Sequence, residues 1–316
     1  MAARVVLVAL LGAALGSGCG ASRGGAPPDR APPAVPATTA RTARPAASAP
    51  VGSASELVVP PVAVGPTPAR PDAAAAPVEP AAAQPELPPL TGSAAFGELE
   101  IPGHLPALVA LPLGARSPRP VVVATHGAGG RPEGQCRLWQ ALVGAHAFVL
   151  CLRGISSNRF EPPESTGYYY PGHPALGAEL GAALDALGAR YRPYVDLRAP
   201  VYAGFSQGAS MGALLLPTHP AGFARAALIE GGYGMFQEWN VAAARTFHDH
   251  GGERVVLACG RLRCLEQAQH TARQLERGGL SVRVLYAPGV GHGYGGAMEQ
   301  QLRANLAWLV EGDPRF

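Results

Sequence analysis

Three short stretches carry residues whose types and spacing suit acyl transfer. In Gly204-Phe205-Ser206-Gln207-Gly208 a serine stands between glycines, after the apolar run Pro200–Ala203 and before the small-residue helical stretch Ala209–Leu214. A Gly-x-Ser-x-Gly bend between strand and helix exposes the serine hydroxyl, and the glycines make room for its strained backbone. The plain alternative is a serine that caps the helix. In His126-Gly127-Ala128-Gly129-Gly130 a glycine-rich loop follows the strand-like Val121–Ala124. Acyl transfer needs two N–H donors aimed at the developing oxyanion; the backbone of Gln207 is expected to give one and that of Ala128 the other, unless the loop is a simple turn. His126 reads as a loop-positioning residue. In Gly291-His292-Gly293-Tyr294-Gly295-Gly296, just past Val282–Tyr286, His292 has the chemistry of a general base that titrates near neutrality. His248 and His250 read as ordinary helix-end residues ahead of Gly251, and His173, His219 and His270 have no supporting context.

Composition removes competing chemistries. All 25 basic residues among the 316 are arginine. Without lysine there is no Schiff-base enzyme, no lysine-held pyridoxal cofactor and no phosphate-binding loop of the Walker type. A net charge of +3 with 15% charged residues does not describe a nucleic-acid surface. No metal is expected, because the cysteines lack the paired spacing of a zinc site, and the Ser-His chemistry needs no organic cofactor.

These residues must be held by alternating strands and helices. Short apolar runs recur at Val121–Thr125, Phe148–Leu152, Pro200–Gly204, Ala226–Glu230, Arg254–Cys259 and Val282–Ala287, and Phe96–Ile101 with Leu108–Leu111 can form an edge hairpin. Helical spacing fills Leu176–Tyr191, Met211–Leu216, Leu265–Arg277 and Met298–Val310. That alternation predicts an α/β fold with a mostly parallel sheet covered on both faces. The polar strand ends at His126, Arg153, Ser206 and Glu230 then fall where open α/β sheets bind ligands, outside the carboxyl ends of the strands.

From about Phe96 onward the chain resembles the α/β-hydrolase superfamily, on the strength of the His126–Gly130, Gly204–Gly208 and Gly291–Gly293 motifs in the family order. It is most similar to small esterases, dienelactone hydrolases and oligopeptidase-type members. The resemblance implies an eight-stranded sheet with helices on both faces and a triad in the order serine, acid, histidine. The acid is where the chain departs from the pattern: the usual place, Cys259-Gly260-Arg261-Leu262-Arg263-Cys264, holds none. Glu230, ending the preceding strand as in some family members, is the first candidate; Glu266, Asp249 or no acid at all are the others. The expected function is a serine hydrolase for a carboxylic ester or related acyl bond, with Ser206 as nucleophile and His292 as base. The alternative is a catalytically impaired protein of the same fold that binds a ligand or partner at the cell envelope.

Substrate contacts are expected from Tyr168 and Tyr169 in the Gly167–His173 loop, which can line an acyl or aromatic subsite, and from Arg153, which can receive a carboxylate. The substrate is a small or extended acyl compound, since no large insertion after Ser206 can form a lid. Residues 1–19 have the positive start, short apolar run and small-residue end of an export signal, and Gly16-Ser17-Gly18-Cys19 resembles a bacterial lipobox in which Cys19 is lipidated. Residues 20–92, rich in Ala and Pro, read as a disordered linker, leaving 93–316 as the hydrolase domain. An exported protein, periplasmic or anchored to the outer membrane through Cys19, permits disulfides. The economical pairing is Cys136 with Cys151 and Cys259 with Cys264; free buried thiols are the alternative.

Overall fold

The computed structural model describes residues 86–158, 160–162, 165–234 and 239–316. The export signal, Cys19 and nearly all of the linker lie outside the described residues. The packed chain begins ahead of the boundary expected at Ser93: Leu90 is buried, and it exchanges backbone hydrogen bonds with Gly114 and Ala115.

An eight-stranded sheet runs in the order β1-β2-β4-β3-β7-β8-β9-β10. Its members are β1 (Phe96–Leu99), β2 (Ala107–Ala110), β3 (Val121–Thr125), β4 (Phe148–Cys151), β7 (Val201–Phe205), β8 (Arg225–Ile229), β9 (Arg254–Cys259) and β10 (Ser281–Tyr286). The β1–β2 hairpin is antiparallel and β2 joins β4 antiparallel; the other pairings are parallel. A small separate hairpin, β5 (Ile155–Ser156) with β6 (Tyr168–Tyr169), projects beyond β4.

The sheet is covered on both faces because its central strands are buried almost throughout and mostly apolar, with Thr125 and Arg225 as polar exceptions. Successive side chains of a strand point to opposite faces. Accordingly Val121 and Val123 join one apolar layer while Val122 and Ala124 join the other, and β9 divides Val255 and Leu257 from Val256 and Ala258 in the same way. Helices α1 (Pro132–Val143) and α6 (Ala297–Val310) supply the second layer. Helices α2 (His173–Tyr191), α3 (Gln207–Leu215), α4 (Val241–Asp249) and α5 (Leu262–Arg277) supply the first.

Topology decides where chemistry can sit. From β3 the chain moves outward to β4, then returns past β3 to β7. The loops after β3 and β7 therefore diverge at a switch point, and their crevice opens at the carboxyl ends of the strands. Those two loops are His126–Gly130 and Ser206.

Candidate active site

Ser206 stands between β7 and α3 at φ +52°, ψ −113°, a conformation that side chains rarely adopt. Its N–H donates to Ile229 O at 2.8 Å. The tightness of the bend explains the flanking glycines. A β-carbon at Gly204 would lie 2.6 Å from Ala209 Cα, and one at Gly208 would lie 2.5 Å from Thr125 Oγ1 and 2.8 Å from His126 O.

His292 arrives on the loop after β10. Its Nε2 lies 2.8 Å from Ser206 Oγ and its Nδ1 lies 3.0 Å from Glu230 Oε2. The carboxylate accepts only, so Nδ1 carries the proton and Nε2 faces the serine with its lone pair. The Phe205 ring, 5.1 Å from His292 and 4.8 Å from Tyr294, supports the histidine loop from below.

Glu230 follows β8 directly, also at positive φ (52°). Its side chain is fully buried. Such a charge is tolerated only when it is paired and hydrogen-bonded, and the neighbouring strand end provides this. Parallel pairing of Ile229 with Ala258 brings Glu230 beside the turn after β9. There Oε1 accepts from Gly260 N at 2.6 Å and Arg261 N at 3.2 Å, and Oε2 accepts from Arg261 Nε at 2.7 Å. Arg261 Nη2 completes an ion pair at 2.5 Å. The Cys259–Cys264 stretch, which has no acid of its own, thus holds the carboxylate that follows the strand beside it. The other candidates stand elsewhere: Glu266 is exposed on α5, and Asp249 is exposed beside His248.

The loop after β3 passes against the serine, since a β-carbon at Gly127 would lie 3.0 Å from Ser206 Cβ. Among the described residues the N–H groups of Ala128 and Gln207 have no backbone partner, whereas their neighbours are engaged: Gly129 N with Tyr168 O, Gly130 N with Gly127 O, and Gly208 N with His126 O. His126 is buried, with Nδ1 2.8 Å from Gly127 O and Nε2 2.9 Å from Arg153 O. Burial pushes its pKa down, against the pull of those two carbonyls. A neutral imidazole has one N–H, so it donates to one of the two and holds the loop without touching the serine. The side chain of Gln207 is tied to the Tyr170 backbone: Nε2 donates to Tyr170 O and Oε1 accepts from Tyr170 N, both at 3.0 Å.

All three residues expected to meet substrate stand away from this cleft of about 350 Å³, whose walls include Ser210, Met211, Tyr233 and Arg261. Tyr168 is buried, its ring 5.7 Å from the Arg131 guanidinium and 5.3 Å from that of Arg153. Tyr169 pairs with Ile155 in the small hairpin. Arg153 is buried too, donating to Pro106 O at 2.7 Å and reaching Glu98 at 3.3 Å. Period-two alternation sends Tyr168 and Tyr170 inward, which a run of three tyrosines in the sequence does not reveal. Tyr170 also supports the site: it stacks on His126 at 4.9 Å. The place of Arg261 beside Glu230 follows only from the β8–β9 register, which local spacing does not show.

Both disulfides pair as expected, Cys136 with Cys151 and Cys259 with Cys264. Glu230, Cys259 and Cys264 form the one cluster of potential metal-ligating groups among the described residues. Its sulfurs are consumed in the disulfide, so it offers no thiolate to an ion. No helix among the described residues is long and apolar enough to cross a membrane.

No protein-family model matches the chain, and no curated protein does. Solved structures do. A dienelactone hydrolase-like promiscuous phosphotriesterase from metagenomic libraries aligns at 16% identity over 68% of this chain and 97% of that one, with a TM-score of 0.50. An uncharacterized protein from Bacillus cereus ATCC 10987 aligns at 15% identity over 62% of this chain and 61% of that one, also at 0.50. A carboxylesterase from Mesorhizobium loti aligns at 20% identity over 69% of this chain and 98% of that one, at 0.48.

Proposed function

Because the chain has the α/β-hydrolase fold, we propose that it is a serine hydrolase acting on a carboxylic ester or related acyl bond. The observation that carries this reading is the unbroken hydrogen-bond chain Ser206–His292–Glu230 at the switch point of the sheet. Ser206 Oγ attacks the acyl carbon as His292 Nε2 takes its proton. Glu230 accepts from Nδ1–H throughout, fixing the tautomer and stabilising the imidazolium. The N–H groups of Gln207 and Ala128 receive the oxyanion. His292 then gives its proton to the leaving oxygen, and water activated by the same histidine releases the acyl group from Ser206. The second reading is a catalytically impaired protein of the same fold that only binds; the 3.0 Å contact of Glu230 with His292 Nδ1 weighs against it.

Export goes with this function. Two disulfides suit an oxidising compartment, and a lipid on Cys19 would hold the domain at a membrane by a long tether. Radiolabelled palmitate that enters the full-length protein but not Cys19→Ser supports the tether, and equal labelling of both refutes it. The activity is tested by hydrolysis of short p-nitrophenyl esters. Turnover by the wild type and none by Ser206→Ala is expected; equal rates from both would refute the assignment.

A further inference from the structure

Glu230, Arg261 and His292, which line the cleft together, are unequally exposed. Glu230 is fully buried, while the Arg261 side chain is 48% exposed and His292 is 41% exposed. An entering molecule therefore meets the cation of the ion pair, with its counter-charge hidden behind. Guanidinium carries five N–H donors in a fixed planar fork. Arg261 gives Glu230 its Nε and one hydrogen of Nη2. Both hydrogens of Nη1 and the second of Nη2 have no partner among the described residues, so the end-on Nη1/Nη2 edge is free. That edge matches a carboxylate bidentately. It lies on the wall of the same cleft as Ser206, separated from the nucleophile by one imidazole and one carboxylate.

Resting on the serine hydrolase reading, we propose that Arg261 is a specificity residue and that the substrates are esters carrying a carboxylate. One edge of the guanidinium orders Glu230 while the other anchors the anion. The anchor keeps the ester in line with Ser206, so recognition and the ordering of the triad share a side chain.

The test compares esters that differ only in charge. Mono-p-nitrophenyl adipate against p-nitrophenyl methyl adipate places the carboxylate in the acyl half, and 4-acetoxybenzoate against its methyl ester places it in the leaving half. Full-length wild type is expected to favour the charged member of at least one pair by about tenfold in kcat/KM, the lower end for a charge-assisted hydrogen bond. High salt should shrink that preference. Arg261→Gln slows both members, since Glu230 loses donors, but the ratio between them is expected to fall to about one, and Arg261→Glu to reverse it. Ratios near one in the wild type, with Ser206-dependent turnover of the neutral esters, overturn the anion subsite and leave the serine hydrolase standing. A ratio unchanged in Arg261→Gln also overturns it. No Ser206-dependent turnover of any ester sinks both readings.

Discussion

At the scale of single residues, the site concentrates strain and buried charge where the function needs them. Ser206 and Glu230 end adjacent strands, and both hold positive φ; each such conformation costs on the order of 1–3 kcal/mol. The bend has no slack, so Gly204→Ala should lower stability by about 1–3 kcal/mol, the usual range for overpacking, and denaturant midpoints will show it. Glu230→Gln keeps the shape of the acid but removes the charge that supports the imidazolium. Its kcat should fall on the order of 10³–10⁴-fold, measured as steady-state ester hydrolysis; an unchanged rate would mean that Ser206 and His292 work as a dyad. The candidate nucleophile and base were legible because the glycines around Ser206 and His292 mark special backbone in the sequence itself. The acid was legible only as one candidate of several. What distinguishes Glu230 from Glu266 is strand register, a tertiary property that local spacing does not carry.

The element that does most to complete the site is the turn joining β9 to α5. Cys259 and Cys264 close it into a short covalent ring around Gly260 and Arg261, whose donors hold Glu230. Replacing both cysteines with alanine should depress kcat more than it raises KM, because the acid loses its orientation while the cleft wall remains. The second disulfide fastens α1 to the end of β4, away from the triad. Its removal should cost about 2–4 kcal/mol of stability with kcat nearly unchanged, so thermal melts and kinetics of the two double variants separate the roles. Among the elements, long apolar strands and helices declared themselves in the sequence. Helix α1 did not, since it opens with Pro-Glu-Gly-Gln and lacks a sustained apolar stripe early on. The β5–β6 hairpin has only two residues in each strand, too few to show a period, and so the direction of its tyrosines was hidden.

Over the whole molecule, two apolar layers carry stability, and ionic clips fasten the chain end. Arg315 pairs with Asp313 at 2.6 Å and reaches Asp196 at 3.6 Å, while Asp196 also holds Arg198 at 2.6 Å. The hydrogen bond from Arg198 keeps the Asp196 carboxyl below the ordinary range, against the opposing effect of burial. A carboxyl whose folded pKa is depressed contributes stability above its unfolded pKa, near 3.9, and loses it as pH falls through the folded value. Asp196→Asn should therefore lower Tm at pH 7 and converge with the wild type well below pH 4. A difference that persists undiminished at low pH would point to packing rather than charge. None of these clips touches the cleft, where the proposed hydrolysis rests on one oxygen, Ser206 Oγ. Its most direct measurement is peptide mapping by mass spectrometry after treatment with a fluorophosphonate. A covalent phosphonyl adduct on Ser206, absent when His292→Ala is treated alike, is the predicted result; an unmodified Ser206 in the wild type would contradict the account.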